Sequence, residues 1–329
     1  MNNLKKIGMT ALAASLVSTS VFAGELTVSG TASVTYENYT TKEVGIVGNK
    51  TFSQGNEINF NGGGELDNGM TVAVHFQLDE GTNSGIDTAT PSNNLFDNHS
   101  VTVSSDAMGT FVFSGHGGSS AQSALDTTAA GDIFDNFDAT AGIASTSTFR
   151  SSKAGNNNLK YTLPNVVDGL SAAVSYQPGG NASAGGASST AYGLTYTGVE
   201  GLTVSYGYGE DNATSSIESE VTTMSASYAY GPVTVAVSES ENDEKTNTDQ
   251  TLKSVAVSYT ISDNLSVKYG EETLETPAWV KDAEYTSISV AYTSGGMTIS
   301  AGSQSAENAE GAVADADVDY NYLGLSFAF

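Results

Sequence analysis

Beyond residue 24 the chain repeats one short unit, about ten residues of alternating apolar and small polar side chains closed by Gly, Asn, Asp or Pro. From Glu25 to Glu37, Leu26, Val28, Ala32, Val34 and Tyr36 alternate with Thr27, Ser29, Thr31, Ser33 and Thr35. From Gly69 to Asp79, Val72, Val74, Phe76 and Leu78 alternate with Thr71, Ala73, His75, Gln77 and Asp79. A period of two sends successive side chains to opposite faces of an extended backbone, so each unit is a strand with one greasy and one hydrophilic face. About sixteen strands are predicted on this pattern. They lie near Glu25–Glu37, Asn56–Leu66, Met70–Asp79, Asp97–Ser105, Thr110–Gly115, Asn158–Leu163, Leu170–Gln177 and Thr190–Thr197. The second half continues with Leu202–Glu210, Ser219–Tyr230, Pro232–Glu241, Thr251–Ile261, Leu265–Thr273, Asp282–Thr293, Met297–Ser305 and Val318–Phe329.

The connections alternate in length. A long one, Asn38 to Gly55, is followed by a tight turn at Asp67-Asn68-Gly69, a long one from Glu80 to Phe96 and a tight turn at Asp106-Ala107-Met108-Gly109. Later tight turns fall at Pro164 to Gly169, Gly198 to Gly201, Tyr230-Gly231-Pro232, Ser262-Asp263-Asn264 and Ser294-Gly295-Gly296. Acidic or Ser/Gly-rich stretches such as Glu241 to Gln250 and Gln304 to Asp317 lie between them. A soluble sandwich has no reason to sort its loops by parity. A barrel crossing a membrane does, with short periplasmic turns and longer extracellular loops. The predicted fold is therefore an all-β, transmembrane, antiparallel up-and-down β-barrel occupying residues 24–329 as one domain.

The faces fit inverted solvation. Ser, Thr, Asn and Gly on the hydrophilic face would crowd a dry core but suit a hydrated lumen, while the apolar face meets lipid. Tyr36, Tyr161, Tyr176, Tyr196, Tyr230, Tyr259 and Tyr292 sit near strand ends, where an amphipathic ring matches the water–lipid boundary. The final strand places Leu323, Leu325, Phe327 and Phe329 on one face, directly before the carboxyl terminus.

The first residues have the layout of an export signal: Lys5 and Lys6, an apolar stretch from Ile7 to Val17, and Val21-Phe22-Ala23 before Gly24. Residues 1–23 are expected to be cleaved. They carry two of the 11 basic residues and none of the 37 acids, so the mature chain stands near −28. Nucleic acid is not an expected partner, because phosphate binding needs a basic face. There is no Cys, so hydrogen bonding and burial alone must hold an exported chain. Beyond the signal no apolar run reaches the ~18 residues of a membrane helix, so any crossing is made by strands.

Four stretches resemble the Gram-negative general porins, particularly the acidic 16-stranded type of alphaproteobacteria. They are Gly24-Glu25-Leu26-Thr27-Val28-Ser29-Gly30, Val101 to Gly115 with its Asp106-Ala107-Met108-Gly109-Thr110 turn, Arg150 to Gly169, and the terminal Phe329. The resemblance implies an outer-membrane channel for passive diffusion of ions and small hydrophilic solutes, built as a homotrimer and in contact with lipopolysaccharide. It also implies that Phe329 is the signal read by the barrel-assembly machinery, and that the second long loop, Glu80 to Phe96, reaches a neighbouring subunit.

The connection from Gly115 to Asn157 breaks the length pattern, and a loop of roughly forty residues without structure of its own is usually functional or disordered. It carries Asp126, Asp132, Asp135 and Asp138 among Leu125, Ile133, Phe134 and Phe137. By composition, a loop packed on the barrel wall with its carboxylates toward the lumen and a purely extracellular loop fit equally. The resemblance favours insertion, because the third loop of those porins narrows the channel. Strand parity sends Glu57 and Asn59, then His75, Gln77 and Asp79, and also Lys160 and Lys268, inward. Arg150 is the only Arg, and no strand carries paired basic residues. The basic cluster that faces the acidic loop in general porins is missing, and cation preference is expected.

Other chemistries fare worse. Nucleophilic catalysis needs an activated Ser or water with a base, and the chain offers His75, His99 and His116. His116 lies in Gly115-His116-Gly117-Gly118-Ser119, which resembles an oxyanion-hole loop only superficially, so no enzyme is expected. Glu239 to Asp249 and Asp315 to Asp319 are rich in oxygen ligands suited to calcium. Neither matches a defined calcium loop, and a solvated acidic loop is the commoner explanation. The rival reading is a surface adhesin or a structural outer-membrane protein, but a solenoid would show a fixed period and no loop parity.

Overall fold

The computed structural model describes residues 26–41, 50–79, 96–137, 149, 155–179, 188–212, 219–244, 249–277, 279–309 and 317–329. The segment expected to be cleaved, residues 1–23, lies outside them, as do residues 24 and 25. The first eight strands are β1 (Thr27–Thr41), β2 (Lys50–Glu65), β3 (Thr71–Asp79), β4 (Asn98–Ser105), β5 (Gly109–His116), β6 (Asn158–Thr162), β7 (Leu170–Gln177) and β8 (Ser188–Val199). The remaining eight are β9 (Leu202–Asn212), β10 (Ser219–Tyr230), β11 (Val233–Glu244), β12 (Gln250–Ser262), β13 (Leu265–Glu275), β14 (Ala283–Ser294), β15 (Met297–Glu307) and β16 (Val318–Ala328). Each strand pairs antiparallel with its sequence neighbours, and β1 pairs with β16 to close the barrel. Closure leaves no edge strand with unpaired backbone groups, as a sheet in hydrocarbon requires.

The two faces separate as the alternation predicts. On β16, Leu323 (54 % exposed), Leu325 and Phe327 point outward, whereas Tyr320 on the other parity is buried inside. Val101, Phe113, Val204, Val237, Val257 and Ile288 continue the exposed apolar surface around the wall. Such a continuous greasy exterior is untenable in water and is what lipid solvates. All seven boundary tyrosines lie on this exterior parity, and Phe111 stacks on Tyr161 at 4.4 Å.

The seam is closed by the last residue. Gly30 N donates to the Phe329 carbonyl at 2.8 Å and Phe329 N donates to the Gly30 carbonyl at 3.0 Å. A Cβ on Gly30 would stand 2.8 Å from the Phe329 ring and 2.6 Å from the Glu57 carbonyl oxygen. The ring thus covers a position where only glycine fits.

β1 and β2 are longer than the alternation indicates. They continue through Asn38–Thr41 and from Lys50 to Gly55, pairing Asn38 with Lys50 and Tyr36 with Phe52. Asn38, Lys50, Gln54 and Gly55 interrupt the apolar alternation and have low strand propensity, but the ladder between two adjacent strands carries them beyond the greasy band. The first long connection shrinks accordingly to residues 42–49.

A compact apolar core exists, and it lies inside the lumen. Ile133, Phe134 and Phe137 of the third long loop cluster with Phe149 and with the inward Leu252, Leu274, Tyr285 and Val318 of β12, β13, β14 and β16. The rule that greasy residues face away from the axis therefore fails locally, where protein rather than water fills the barrel.

Candidate functional site

The third long loop can be followed by what it bonds. Ala121 N donates to Ser175 Oγ on β7 at 2.9 Å, and Gln122 Nε2 to Thr223 Oγ1 on β10 at 3.0 Å. Ala129 N donates to Ser238 Oγ on β11 at 2.8 Å, and Ala130 N to Ser254 Oγ on β12 at 2.9 Å. Further on, the Thr128 hydroxyl donates to the Glu272 carboxylate of β13, and Phe134 N donates to Glu272 Oε2 at 3.0 Å. Asn136 Nδ2 donates to Gln304 Oε1 on β15 at 3.1 Å, and the Tyr39 hydroxyl of β1 donates to the Asn136 carbonyl at 3.4 Å. Every partner lies on the hydrophilic face. A segment spanning residues 121–136 can touch β7, β10 to β13, β15 and β1 only from within the barrel. The described part of the loop is inserted.

The sequence explains how this track is built. Small inward hydroxyls on β7, β11 and β12 leave room and supply acceptors for backbone N–H groups of the loop, which would otherwise be orphaned, and Thr223 on β10 accepts from a side-chain amide. Short 3-10 turns, Ser123–Leu125 and Ile133–Phe137, fold the loop onto the wall. Phe137 packs against Tyr285 at 5.8 Å and is 1 % exposed. Glu272, also 1 % exposed, is the polar centre of this contact. It went unnoticed in the sequence, although parity with Lys268 four residues earlier sends it inward.

The predicted carboxylates of the constriction separate into different roles. Asp132 adopts a left-handed backbone with φ 55°. Its carboxylate accepts from Thr128 N at 2.9 Å, and its own N–H donates to Thr128 Oγ1 at 2.7 Å. Burial raises the Asp132 pKa, the Thr128 bonds lower it, nearby Asp135 adds to the rise and Lys268 opposes it. Asp135 is exposed in the lumen. Asp126 is half-buried and engaged, and Asp138 lies outside the described residues.

The lining residues form three groups. Lys268 faces Asp132 and Glu272 electrostatically beneath the loop. Lys160 on β6 stands apart, against Ala124 and Leu125. Across the lumen, Glu57 pairs in register with Asp79, Asn59 with Gln77 and Asn61 with His75 along β2 and β3. His75 Nδ1 lies 2.8 Å from Asn61 Oδ1. The other histidines belong to the wall and the loop root: His99 lies over Gly115, and His116 Nδ1 contacts the Asp97 carbonyl. Arg150 and most of the loop from Glu80 to Phe96 lie outside the described residues, as do 245–248 and 311–316 of the oxygen-rich loops. No cluster of three or more His, Cys, Asp or Glu able to hold a metal occurs among the described residues.

A sequence model described as Gram-negative porin matches residues 8–329. The chain belongs to the Gram-negative porin family. It is therefore an outer-membrane channel for passive diffusion rather than an adhesin. No curated protein matches the porin by sequence. Among solved structures it is similar to an anion-selective porin from Comamonas acidovorans, with 14 % identity and TM-score 0.68 over 93 % of this chain and 100 % of that one. It is also similar to Salmonella typhi OmpF in complex with daunomycin, with 16 % identity and TM-score 0.68 over 93 % of this porin and 98 % of the other. A structure described as porin refined at 1.8 Å resolution shares 18 % identity, with TM-score 0.66 over 93 % and 100 % of the two chains. At these identities the likeness is one of fold.

Proposed function

We propose that this porin conducts ions and small hydrophilic solutes without a substrate-specific site, and that it prefers cations. The observation that supports the preference is the pairing of Glu57 with Asp79 on the wall facing the inserted loop. The inserted loop presents the exposed Asp135, while Lys268 is shared between Asp132 and Glu272. The constriction is thus bounded by Asp126, Asp132 and Asp135 on one side and by Glu57 and Asp79 on the other, with Asp138 assigned to the same loop face by sequence. Carboxylates on both sides of a narrow aqueous path concentrate cations and repel anions. A Debye length of ~10 Å at 0.1 M salt weakens this field across the wide vestibules but less at the narrow waist. A shared fold does not set the sign of selectivity, because sign resides in side chains.

Reversal potentials across a planar bilayer under a salt gradient test the proposal. A potential of the sign set by cation flow supports it, and a chloride-selective or unselective channel overturns it. In the same reading the working unit is a homotrimer, residues 1–23 are removed on export, and Phe329 is the strand-end signal for barrel assembly. Migration on a gel before and after boiling, with mass spectrometry of the purified porin, reads out the first two.

A further inference from the structure

We infer that a cavity behind the inserted loop, centred on Lys160, is a binding subsite for small oxyanions, either carboxylates or phosphate. The cavity measures about 160 Å³ and lies between the loop and the wall of β6 to β8. Its wall presents the Lys160 ammonium and the hydroxyls of Thr162, Ser171 and Thr195, and its lid is Ala124 and Leu125.

Three observations bear on this lysine, the first of which separates it from Lys268 and Lys253. First, among the described residues no carboxylate pairs with it, although the chain carries 37 acids against 11 bases. Lys268 is compensated by Asp132 and Glu272, and Lys253 reaches Glu275 at 2.6 Å. Second, the ammonium is half-buried, and a charge withdrawn from water without a partner is costly. With no carboxylate against it among the described residues, its counter-charge is left to come from solution. Third, the cavity is rigidly framed. Ala121 is bonded to Ser175, Gln122 to Thr223, and a Cβ on Gly193 would stand 2.4 Å from the Ala121 carbonyl oxygen. The loop is pressed onto β8, so the pocket keeps its shape when empty.

The donor set selects the ligand. An ammonium is a compact charge with three donors, suited to carboxylate and phosphate oxygens. The Thr162 and Ser171 hydroxyls can donate to the remaining lone pairs, and so can Thr195 when its hydroxyl accepts from Ser205 Oγ, 3.2 Å away. Chloride has one centre, whereas a carboxylate or phosphate offers separate oxygens to the ammonium and to the hydroxyls. Small organic acids and phosphate therefore gain a resting place inside a channel whose main path disfavours them. The inference is independent of the sign of ion preference.

Channel conductance in planar bilayers tests it, with chloride replaced stepwise by acetate or by inorganic phosphate at constant ionic strength. Wild-type porin is expected to show a saturable fall in conductance or a rise in current noise, half-complete at roughly millimolar concentration. Lys160→Gln should abolish saturation, and Thr195→Val, which keeps the charge, should weaken it several-fold. Lys268→Gln should leave it in place. Response to phosphate but not acetate narrows the ligand to phosphate, and the converse narrows it to carboxylates. An unchanged response in Lys160→Gln, or equal saturation by chloride, overturns the assignment. If Lys160→Gln yields no heat-modifiable barrel, the Thr195→Val arm decides alone. Reversal potentials recorded in the same experiment report the ion preference separately.

Discussion

The two halves of the lumen wall are built from similar strands but solvated differently. On β10 to β15 the inward side chains Ser238, Ser254, Glu272, Leu274 and Tyr285 are buried beneath the loop. On β2 and β3 the inward Glu57, Asn59, Asn61 and His75 bond mainly to one another and to water-accessible neighbours. Seryl hydroxyls that would be a liability in a dry core become acceptors for loop N–H groups, and the phenylalanines bring their own apolar surface. The first half behaves as a protein interior and the second as a wetted surface. The contacts that shape the constriction reside in one half, while both halves contribute charge to it.

Severing the loop from its half should have the largest effect. Phe137→Ala removes a fully buried ring, a change costing about 3–5 kcal/mol in cores. Glu272→Ala orphans the Thr128 hydroxyl and Phe134 N–H, at ~1–3 kcal/mol for each unsatisfied group. Both variants should keep a heat-modifiable barrel, because the strand ladder does not pass through the loop. Both should raise single-channel conductance and open-channel noise. Loss of the barrel itself would mean that the loop is part of the fold rather than an insert in it.

The seam belongs to neither half and provides the control. Gly30→Val would drive a side chain into the Phe329 ring and the Glu57 carbonyl. Overpacking of this kind costs about 1–3 kcal/mol. Refolding yield into lipid vesicles should fall, while barrels that do form should retain wild-type reversal potentials.

Charges on the open wall should move selectivity and little else. Glu57→Gln with Asp79→Asn should lower the cation-to-chloride permeability ratio by roughly two- to fivefold at 0.1 M salt, the size of a unit-charge interaction in high dielectric. Replacing both by Lys should reverse the sign. Thermal stability should fall less in these variants than in Phe137→Ala or Glu272→Ala. A large fall in stability would blur the division between the halves.

Much of this division was legible in the sequence. Alternation located all sixteen strands, because it depends only on neighbours along the chain. The contacts that depend on distant register were not legible. Thr128 and Glu272 are 144 positions apart, and no local pattern announces their meeting. Tyr39 stacks on Tyr320 at 4.4 Å inside the lumen, whereas composition alone suggests one role, the lipid boundary, for every tyrosine. The extensions of β1 and β2 escaped for a related reason: Asn38, Lys50 and Gln54 are held in strand by the partner ladder rather than by propensity.

The smallest expected effect concerns Asp132, a predicted constriction acid that the loop also uses structurally. Burial holds its pKa above the ordinary carboxylate value. The folded porin therefore binds this proton more tightly than the unfolded chain does. The stabilisation that results is full at low pH and fades as pH rises through the folded-state value. On acidification, Asp132 loses its charge earlier than an ordinary Asp would, so cation preference should start to decline above the usual carboxylate range. Asp132→Asn preserves an oxygen acceptor for Thr128 N and should leave conductance nearly unchanged, while removing the early part of that decline. Reversal potentials measured from pH 7 down to pH 4 would show it. An identical titration in the variant would assign the early proton to another carboxylate of the lumen and leave Asp132 with a purely structural part in the loop.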